Sequence, residues 1–302
     1  MANPILGNLA GKSSVFGTPA DTTLSRDVLS DPGALADILA QYAKDSLPVQ
    51  IFGEELAPSG NVVYTQAGPE DLTVEGIGDR GELSEYPMVR FSPTDLKEVR
   101  TADIGGKFRV SDEAIAAGDT TLLGDGIALL GNQIERLLDQ MMIGALEQAV
   151  NNGPGHTMGA TSGWFGVELD GANPTPAKAR PRADLVRARR ILRQKGLVAS
   201  GNTLLLSSDS WDNLATAYDI PALAEEWGLA LYQSDHVAEG CGYLIEGVGF
   251  GKLVTRQGIQ TETWRDPAIR ATWAQAFCEP VVIINRPTNI VKLTGLDGDA
   301  NA

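Results

Sequence analysis

Histidine and cysteine are nearly missing, each occurring only twice in 302 residues. Cys241 and Cys278 are too few for a disulfide framework and lack the paired spacing of a metal site, so two reduced, mostly buried thiols are expected. No run approaches the roughly 20 apolar residues that a bilayer span requires. Residues 1–20 also lack the basic start and apolar stretch of a secretory signal, so a soluble, cytoplasmic protein is expected. Basic charge is scarce as well. With 39 acidic against 24 basic residues the formal net charge is -15, which repels phosphate at long range and excludes a general nucleic-acid-binding surface. Acidity of this size suits a protein kept soluble at high concentration, and it equally suits many enzymes. The 43% of hydrophobic residues is enough for a sizeable core, in one large or two modest domains.

Intact catalytic motifs are missing too. Gly76-Ile-Gly-Asp-Arg-Gly81 has the letters of a dinucleotide-binding turn, but it runs into Glu82, Glu85 and Pro87 where a phosphate-binding helix is needed. Gly7-Asn-Leu-Ala-Gly-Lys-Ser13 is one residue short of a phosphate loop and has no room for the strand before it. His236 lies beside Asp235 with Cys241 close by, yet nothing supplies a base-orienting geometry or an oxyanion site. The pairs Glu54-Glu55 and Glu225-Glu226 are adjacent, so they diverge on a helix or strand and read as solvated charges. No catalytic, cofactor or metal site is assigned, and no enzyme activity is expected.

What is present is an ordered sequence of elements. The first thirty residues are polar and aperiodic and read as an extended arm ordered by a partner. Asp31 and Pro32 then open a helix, with Leu35, Ile38, Leu39 and Tyr42 at helical spacing to about Lys44. From Ala57 to Ser92 runs a long excursion. Asn61 to Ala67 reads as one strand, Tyr86 to Phe91 as its return, with a glycine-rich acidic stretch from Gly68 to Glu85 between them. Two strands this poor in apolar residues are unstable alone, so the excursion reads as a hairpin lying on a neighbouring subunit or as a mobile surface loop. Leu96 to Val110 alternates like a strand and Ser111 caps a short helix.

Leu123, Ile127, Leu130, Ile134, Leu137, Met141 and Ala145 then step by three and four, predicting a helix over about 120–150 that spans roughly 45 Å at ~1.5 Å per residue. Asn151 to Pro181 is a glycine- and proline-rich connector. Beyond it lie a helix at 184–195, a buried strand at 203–207, a helix at 210–218 and five terminal strands: Lys252–Arg256, Ile259–Trp264, Ile269–Phe277, Pro280–Asn285 and Asn289–Leu293. One local exception to the acidity is the segment from Lys178 to Lys195, which holds eight of the 24 basic residues. Leu185, Ala188 and Leu192 form its apolar face, so the arginines are expected outward, against an acidic neighbouring subunit, packaged nucleic acid or solvent.

That order resembles the major capsid proteins of tailed bacteriophages of the Hong Kong 97 type, a fold shared by encapsulins and the floor of herpesvirus capsids. The resemblance rests on Pro87-Met-Val-Arg-Phe-Ser-Pro-Thr-Asp-Leu-Lys-Glu-Val-Arg-Thr-Ala-Asp-Ile-Gly-Gly-Lys-Phe-Arg-Val-Ser-Asp-Glu-Ala114, where a loop returns into a capped helix before the spine. It rests also on Arg190-Ile-Leu-Arg-Gln-Lys-Gly196 with the strand at Thr203 and Ser207-Ser-Asp-Ser-Trp-Asp-Asn-Leu214, and it covers about Asp31 to Leu293. It implies an α+β fold with an N-terminal arm and helix (1–45), an extended β-hairpin loop (57–95), a peripheral domain (46–56, 96–160 and 255–302, with the spine helix at 120–150) and an axial domain (161–254). It implies a head protein that self-assembles as pentamers and hexamers into an icosahedral shell around double-stranded DNA, located in the virion and assembled in the host cytoplasm. The partners implied are other copies of the chain, a separate scaffolding protein or a processed N-terminus, a portal, a cement protein and non-specifically contacted DNA. An encapsulin-like compartment enclosing a cargo enzyme is the alternative in the same fold, and an acidic cytoplasmic enzyme the alternative in another class. No lysine lies between Asp45 and Leu96, so no isopeptide bond from the loop is expected. Arg80 and Arg90, set against Glu70, Asp71, Glu82 and Glu85, are the candidate inter-subunit contacts.

Overall fold

Asp31 caps its helix as its place before Pro32 requires, the carboxylate accepting from the backbone N–H groups of Gly33 at 3.0 Å and Ala34 at 3.3 Å. The structure, a computed structural model, describes residue 29 and residues 31–66, 68, 79–82, 84–86, 96–117, 120–195, 200–247 and 249–298. After α1 (Pro32–Asp45) come the helix α2 (Leu47–Phe52) and the strands β1 (Glu54–Leu56), β2 (Asn61–Thr65), β3 (Leu96–Arg100) and β4 (Ile104–Ser111). Ser111 Oγ accepts from Ala114 N at 3.2 Å and starts α3 (Asp112–Ala117), which leads to the 32-residue spine α4 (Thr120–Asn151). Beyond it are β5 (His156–Gly159), α5 (Pro181–Lys195), β6 (Thr203–Leu206), α6 (Ser208–Ala217), α7 (Ile220–Trp227), β7 (Ala230–Gln233) and β8 (Cys241–Ile245). The last strands are β9 (Gly251–Thr255), β10 (Gln260–Asp266), β11 (Ala271–Cys278), β12 (Pro280–Ile284) and β13 (Ile290–Thr294).

Four sheets result. A five-stranded sheet has the order β5-β13-β8-β6-β7, two three-stranded sheets have the orders β1-β9-β12 and β10-β11-β4, and β2 pairs with β3. In the five-stranded sheet side chains alternate between two cores, as the strand period of two demands. Leu204, Leu206, Leu244, Val291 and Leu293 face α5 with Trp164, Leu185 and Leu192. Leu205, Tyr243, Ile245 and Ile290 face α2 and the C-terminal half of the spine. The N-terminal half of the spine belongs to a third core, built with Leu35 and Leu39 of α1 and Ala274 and Ala276 of β11. The spine thus joins two cores along its length.

Its buried stripe departs from the expected one. Leu123, Ile127, Leu130 and Ile134 are buried, but the stripe continues through Leu138, Met142 and Leu146, while Leu137 stays 37% exposed and Met141 and Ala145 half-buried. The sequence offers apolar neighbours at 137/138 and at 141/142, and the second partner, a sheet reached around a different side of the helix, selects the later residue of each pair.

Strand pairing redraws two other expectations. The partner of Asn61–Thr65 is Leu96–Arg100, with Asn61 opposite Arg100 and Thr65 opposite Leu96, in place of Tyr86–Phe91. That register sets Val62, Tyr64 and Val99 on one face, against Val254, Val281 and Ile283, whereas Tyr86 is 75% exposed and residues 87–91 lie outside those described. Strand β13, expected with the 255–302 peripheral segment, lies inside the five-stranded sheet between β5 and β8, and β5 joins its edge from the connector. Ile290 and Val291 need opposite faces covered, which an interior position in this sheet provides.

Candidate assembly surfaces

The β2–β3 ribbon is anchored on one side only. Val63 (60% exposed) and Leu96 (73% exposed) sit on its free side, an exposed apolar pair with no cover among the described residues. Farther out, Arg80, Glu82 and Glu85 are all exposed. Arg80 stacks its guanidinium 4.9 Å from the Tyr86 ring, and Ser84 Oγ donates to Gly81 O at 2.8 Å. Arg90, Glu70 and Asp71 lie outside the described residues.

The basic helix α5 does not turn all its arginines outward. Arg180 donates to Thr175 O (2.7 Å) and Leu169 O (3.1 Å), and Arg189 to Gly201 O (3.2 and 3.1 Å) and Trp227 O (2.8 Å). Arg182 pairs with Glu226 and lies 5.4 Å from the Tyr218 ring and 6.0 Å from Trp227. Arg187 pairs with Asp184, a carboxylate with no solvent exposure that also accepts from Thr161 N (3.2 Å), Thr161 Oγ1 (3.1 Å) and Trp164 Nε1 (3.0 Å). Arg180, just ahead of α5, and Arg182, Arg187 and Arg189 within it fasten the helix to its surroundings, and Arg190, Arg193 and Lys195 remain exposed. Arg187 pairs within its own helix, whereas the acceptors and aromatic faces that hold Arg180, Arg182 and Arg189 lie outside it, where helical periodicity contains no sign of them. Glu226, expected as a solvated charge, is the partner of Arg182, and Glu55 likewise pairs with Lys252 at 2.7 Å.

Where α2 meets the spine, the Asp139 carboxylate accepts from Leu47 N at 2.7 Å and supplies a cap that Ser46 does not. Burial, with Glu135 adding to it, pushes Asp139 up to about 6 from an ordinary 3.8, and burial beside Asp45 raises Glu135 as well. A raised carboxyl pKa means that folding favours the protonated form, so this junction gains stability as pH falls from above 6 towards 4. After a discount for solvent screening the gain is on the order of 1–2 kcal/mol. Thermal melts of the unassembled subunit are expected to show a higher midpoint at pH 5 than at pH 7.5, and Asp139→Asn to flatten that difference.

The other titratable cluster joins the spine to the five-stranded sheet. Burial opposes the charge on Glu147, but Lys292 at 2.6 Å, the Tyr243 hydroxyl and Asn151 Nδ2 at 3.0 Å hold its carboxyl below the usual range. Cys241 sits in the field of Lys292, Glu147 and Asp297, with its thiol raised by burial, while His236 donates its backbone N–H to Ser234 Oγ at 3.2 Å. Those interactions link Cys241 to this cluster. Cys278 is buried and pushed up to about 12. Gly76–Gly78 and Gly7–Ser13 lie outside the described residues.

A further surface has no counterpart in the sequence reading. On the three-stranded sheet, Arg109, Trp273 and Trp264 occupy one cross-strand row. The two indoles stack with centroids 6.2 Å apart and planes at 17°. Lys107 Nζ lies 4.9 Å from the Trp273 ring and 5.9 Å from Trp264, and Arg109 Cζ lies 5.5 Å from Trp273. Only the register of the three strands brings these residues together.

A sequence model of phage capsid proteins matches residues 94–293. No curated protein sequence matches the chain. Among solved structures, the capsid of the Myoviridae phage XM1 aligns at 12% identity and TM-score 0.56, covering 82% of this chain and 91% of its own. A structure from the Microbacterium phage Oxtober96 aligns at 13% identity and TM-score 0.59, covering 82% and 90%. The virus-like particle from Pyrococcus furiosus aligns at 13% identity and TM-score 0.53, covering 86% and 97%.

Proposed function

The chain belongs to the phage capsid protein family, and on that premise we propose that it is the major head protein whose copies close, as pentamers and hexamers, into an icosahedral shell around double-stranded DNA. The fold is the α+β Hong Kong 97-type capsid fold, the role is structural, and the place of work is the shell of the virion. The observation that carries the finer reading is the one-sided β2–β3 ribbon. It rests on Val254, Val281 and Ile283 at its base, leaves Val63 and Leu96 exposed, and is joined by a connection in which Arg80, Glu82 and Glu85 are exposed. The exposed apolar side of the ribbon is covered when a neighbouring subunit lies on it. Each such contact can be weak, because closure by symmetry multiplies it.

Arg190, Arg193 and Lys195, left exposed on α5, supply the local positive charge for an acidic neighbour or for DNA phosphates in a chain otherwise at -15. A separate scaffold, a portal and a cement protein complete the proposed partner set, with assembly in the host cytoplasm. The test is negative-stain electron microscopy of the purified chain, alone and co-expressed with a candidate scaffold. Closed polyhedra, or rings of five and six, are the expected result. Nucleic acid inside would support the head and protein cargo a storage compartment. A persistent monomer or dimer under every condition would overturn the shell.

A further inference from the structure

We propose that Asn152 is a site of self-modification. In the folded subunit the backbone nitrogen of Gly153 expels the Asn152 side-chain amide as ammonia, and the aspartyl and isoaspartyl products loosen the joint between the spine and β5. This chemistry belongs to the single subunit and does not depend on the shell reading.

The joint is a tight turn built on glycine. Asn152 N donates to Gln148 O at 2.9 Å as the spine ends, and Gly155 N returns to Ala149 O at 3.0 Å just before β5 begins at His156. A Cβ at Gly153 would stand 2.6 Å from Ala149 O, and one at Gly155 would stand 2.7 Å from the same oxygen and 2.9 Å from Val150 Cα. Backbone, and not a flexible side chain, fills both spaces, so packing requires glycine after Asn152. That requirement creates the single Asn-Gly step in the 302 residues. A glycine nitrogen has no Cβ beside it and is the least shielded nucleophile that can follow an asparagine.

The reacting groups are also free. Asn152 and Gly153 are both exposed, and among the described residues neither the Asn152 side chain nor the Gly153 N–H has a hydrogen-bond partner. Other asparagines differ on one count or more. Asn151 donates from Nδ2 to Glu147 at 3.0 Å, Asn202 accepts from Gly247 N at 2.8 Å, and Asn289 is buried. Nor does a left-handed backbone account for asparagine at 152, since Arg270 is the one non-glycine with positive φ among the described residues.

The reaction balances with water alone. Gly153 N, its proton taken by hydroxide, attacks Asn152 Cγ; the N–Cγ bond forms, the Cγ–Nδ2 bond breaks, and ammonia leaves with a proton from water, which regenerates hydroxide. Water then opens the five-membered imide, at Cγ to give isoaspartate's isomer aspartate, or at the main-chain carbonyl carbon to give isoaspartate. Either product sets a carboxylate at the carbonyl end of the 32-residue spine, where the helix dipole disfavours it. Isoaspartate also adds a methylene to the main chain inside the loop that Gly155 N–H and Ala149 O close.

The test incubates the purified chain at pH 6 and at pH 8.5, folded and in urea, and follows every asparagine by peptide mass spectrometry. In the folded chain a gain of about 1 Da is expected at Asn152, faster at pH 8.5, and about tenfold or more ahead of Asn151 and Asn202. Asn152→Gln is expected to abolish it without disturbing the turn. Amide exchange at Gly155 N–H is expected to rise at least threefold in the aged chain relative to fresh protein, and to stay constant in aged Asn152→Gln. Conversion confined to the urea sample, or another asparagine converting first in the folded chain, would overturn the site. Complete conversion with Gly155 exchange unchanged would overturn the loosening of the joint.

Discussion

Gly163→Ala is expected to destabilise the subunit by about 3 kcal/mol or more, at or beyond the upper end of ordinary overpacking. A Cβ at Gly163 would stand 1.4 Å from Gly298 O and 1.8 Å from its carbonyl carbon, so backbone, and not a side-chain rotamer, must move. The segment that must yield is held in place by Trp164 N donating to Leu296 O at 2.9 Å and by Leu296, which is fully buried in the core under α5. The reciprocal change is the control. A Cβ at Gly298 meets Gly163 at 3.4 Å, ordinary contact, so Gly298→Ala is expected to leave the urea midpoint nearly unchanged. Equal losses from both substitutions would mean that the close approach of these two backbones is not the cause. Hydrogen exchange gives a second reading, with Gly163→Ala expected to speed exchange at Trp164 N.

Asp184→Ala is expected to cost a similar amount by a different route. Its carboxylate is fully buried and receives Trp164 Nε1 on one oxygen and Thr161 N and Oγ1 on the other. Truncation strands the indole and Thr161 donors, at about 1–3 kcal/mol for each buried group left unpaired. Arg187, 42% exposed, turns to water and adds little. Asp184→Asn keeps one good acceptor and should fall between wild type and alanine in urea denaturation, with a Trp164 fluorescence change that tracks loss of the indole hydrogen bond. A neutral Asp184→Ala would show that ordered water replaces the carboxylate.

The elements that could be read from the residues were those whose cause is local. Asp31 before Pro32, Ser111 before an acidic turn and the run of terminal strands carry their caps and periods with them. The stripe of the spine was legible only as far as Ile134, because at Leu137/Leu138 and Met141/Met142 either phase satisfies helical spacing and the choice belongs to the sheet on the far side. The return strand was misplaced for the same reason, since Leu96–Arg100 is selected by what Val99 must cover and not by its own texture. Helix α2 was invisible because six residues carry too little periodicity, and its cap comes from Asp139, 92 residues away from Leu47. The face of Lys107, Arg109, Trp264 and Trp273, likewise, exists only once β4, β10 and β11 are in register. The fold was legible through the resemblance that the order of elements carries, and that fold is shared with solved structures at 12–13% identity.

Strand β13 has a consequence for the timing of synthesis. It lies between β5 and β8, so the five-stranded sheet cannot complete its ladder until residues 290–294 have left the ribosome, long after the spine and α5 have emerged. A nascent chain therefore holds both faces of Leu204–Leu206 and of Leu244 without their last cover, and no partly made subunit presents a finished five-stranded sheet to a growing lattice. Competence to join the shell arrives with the final strands, which ties the quality of each tile to the completeness of its translation.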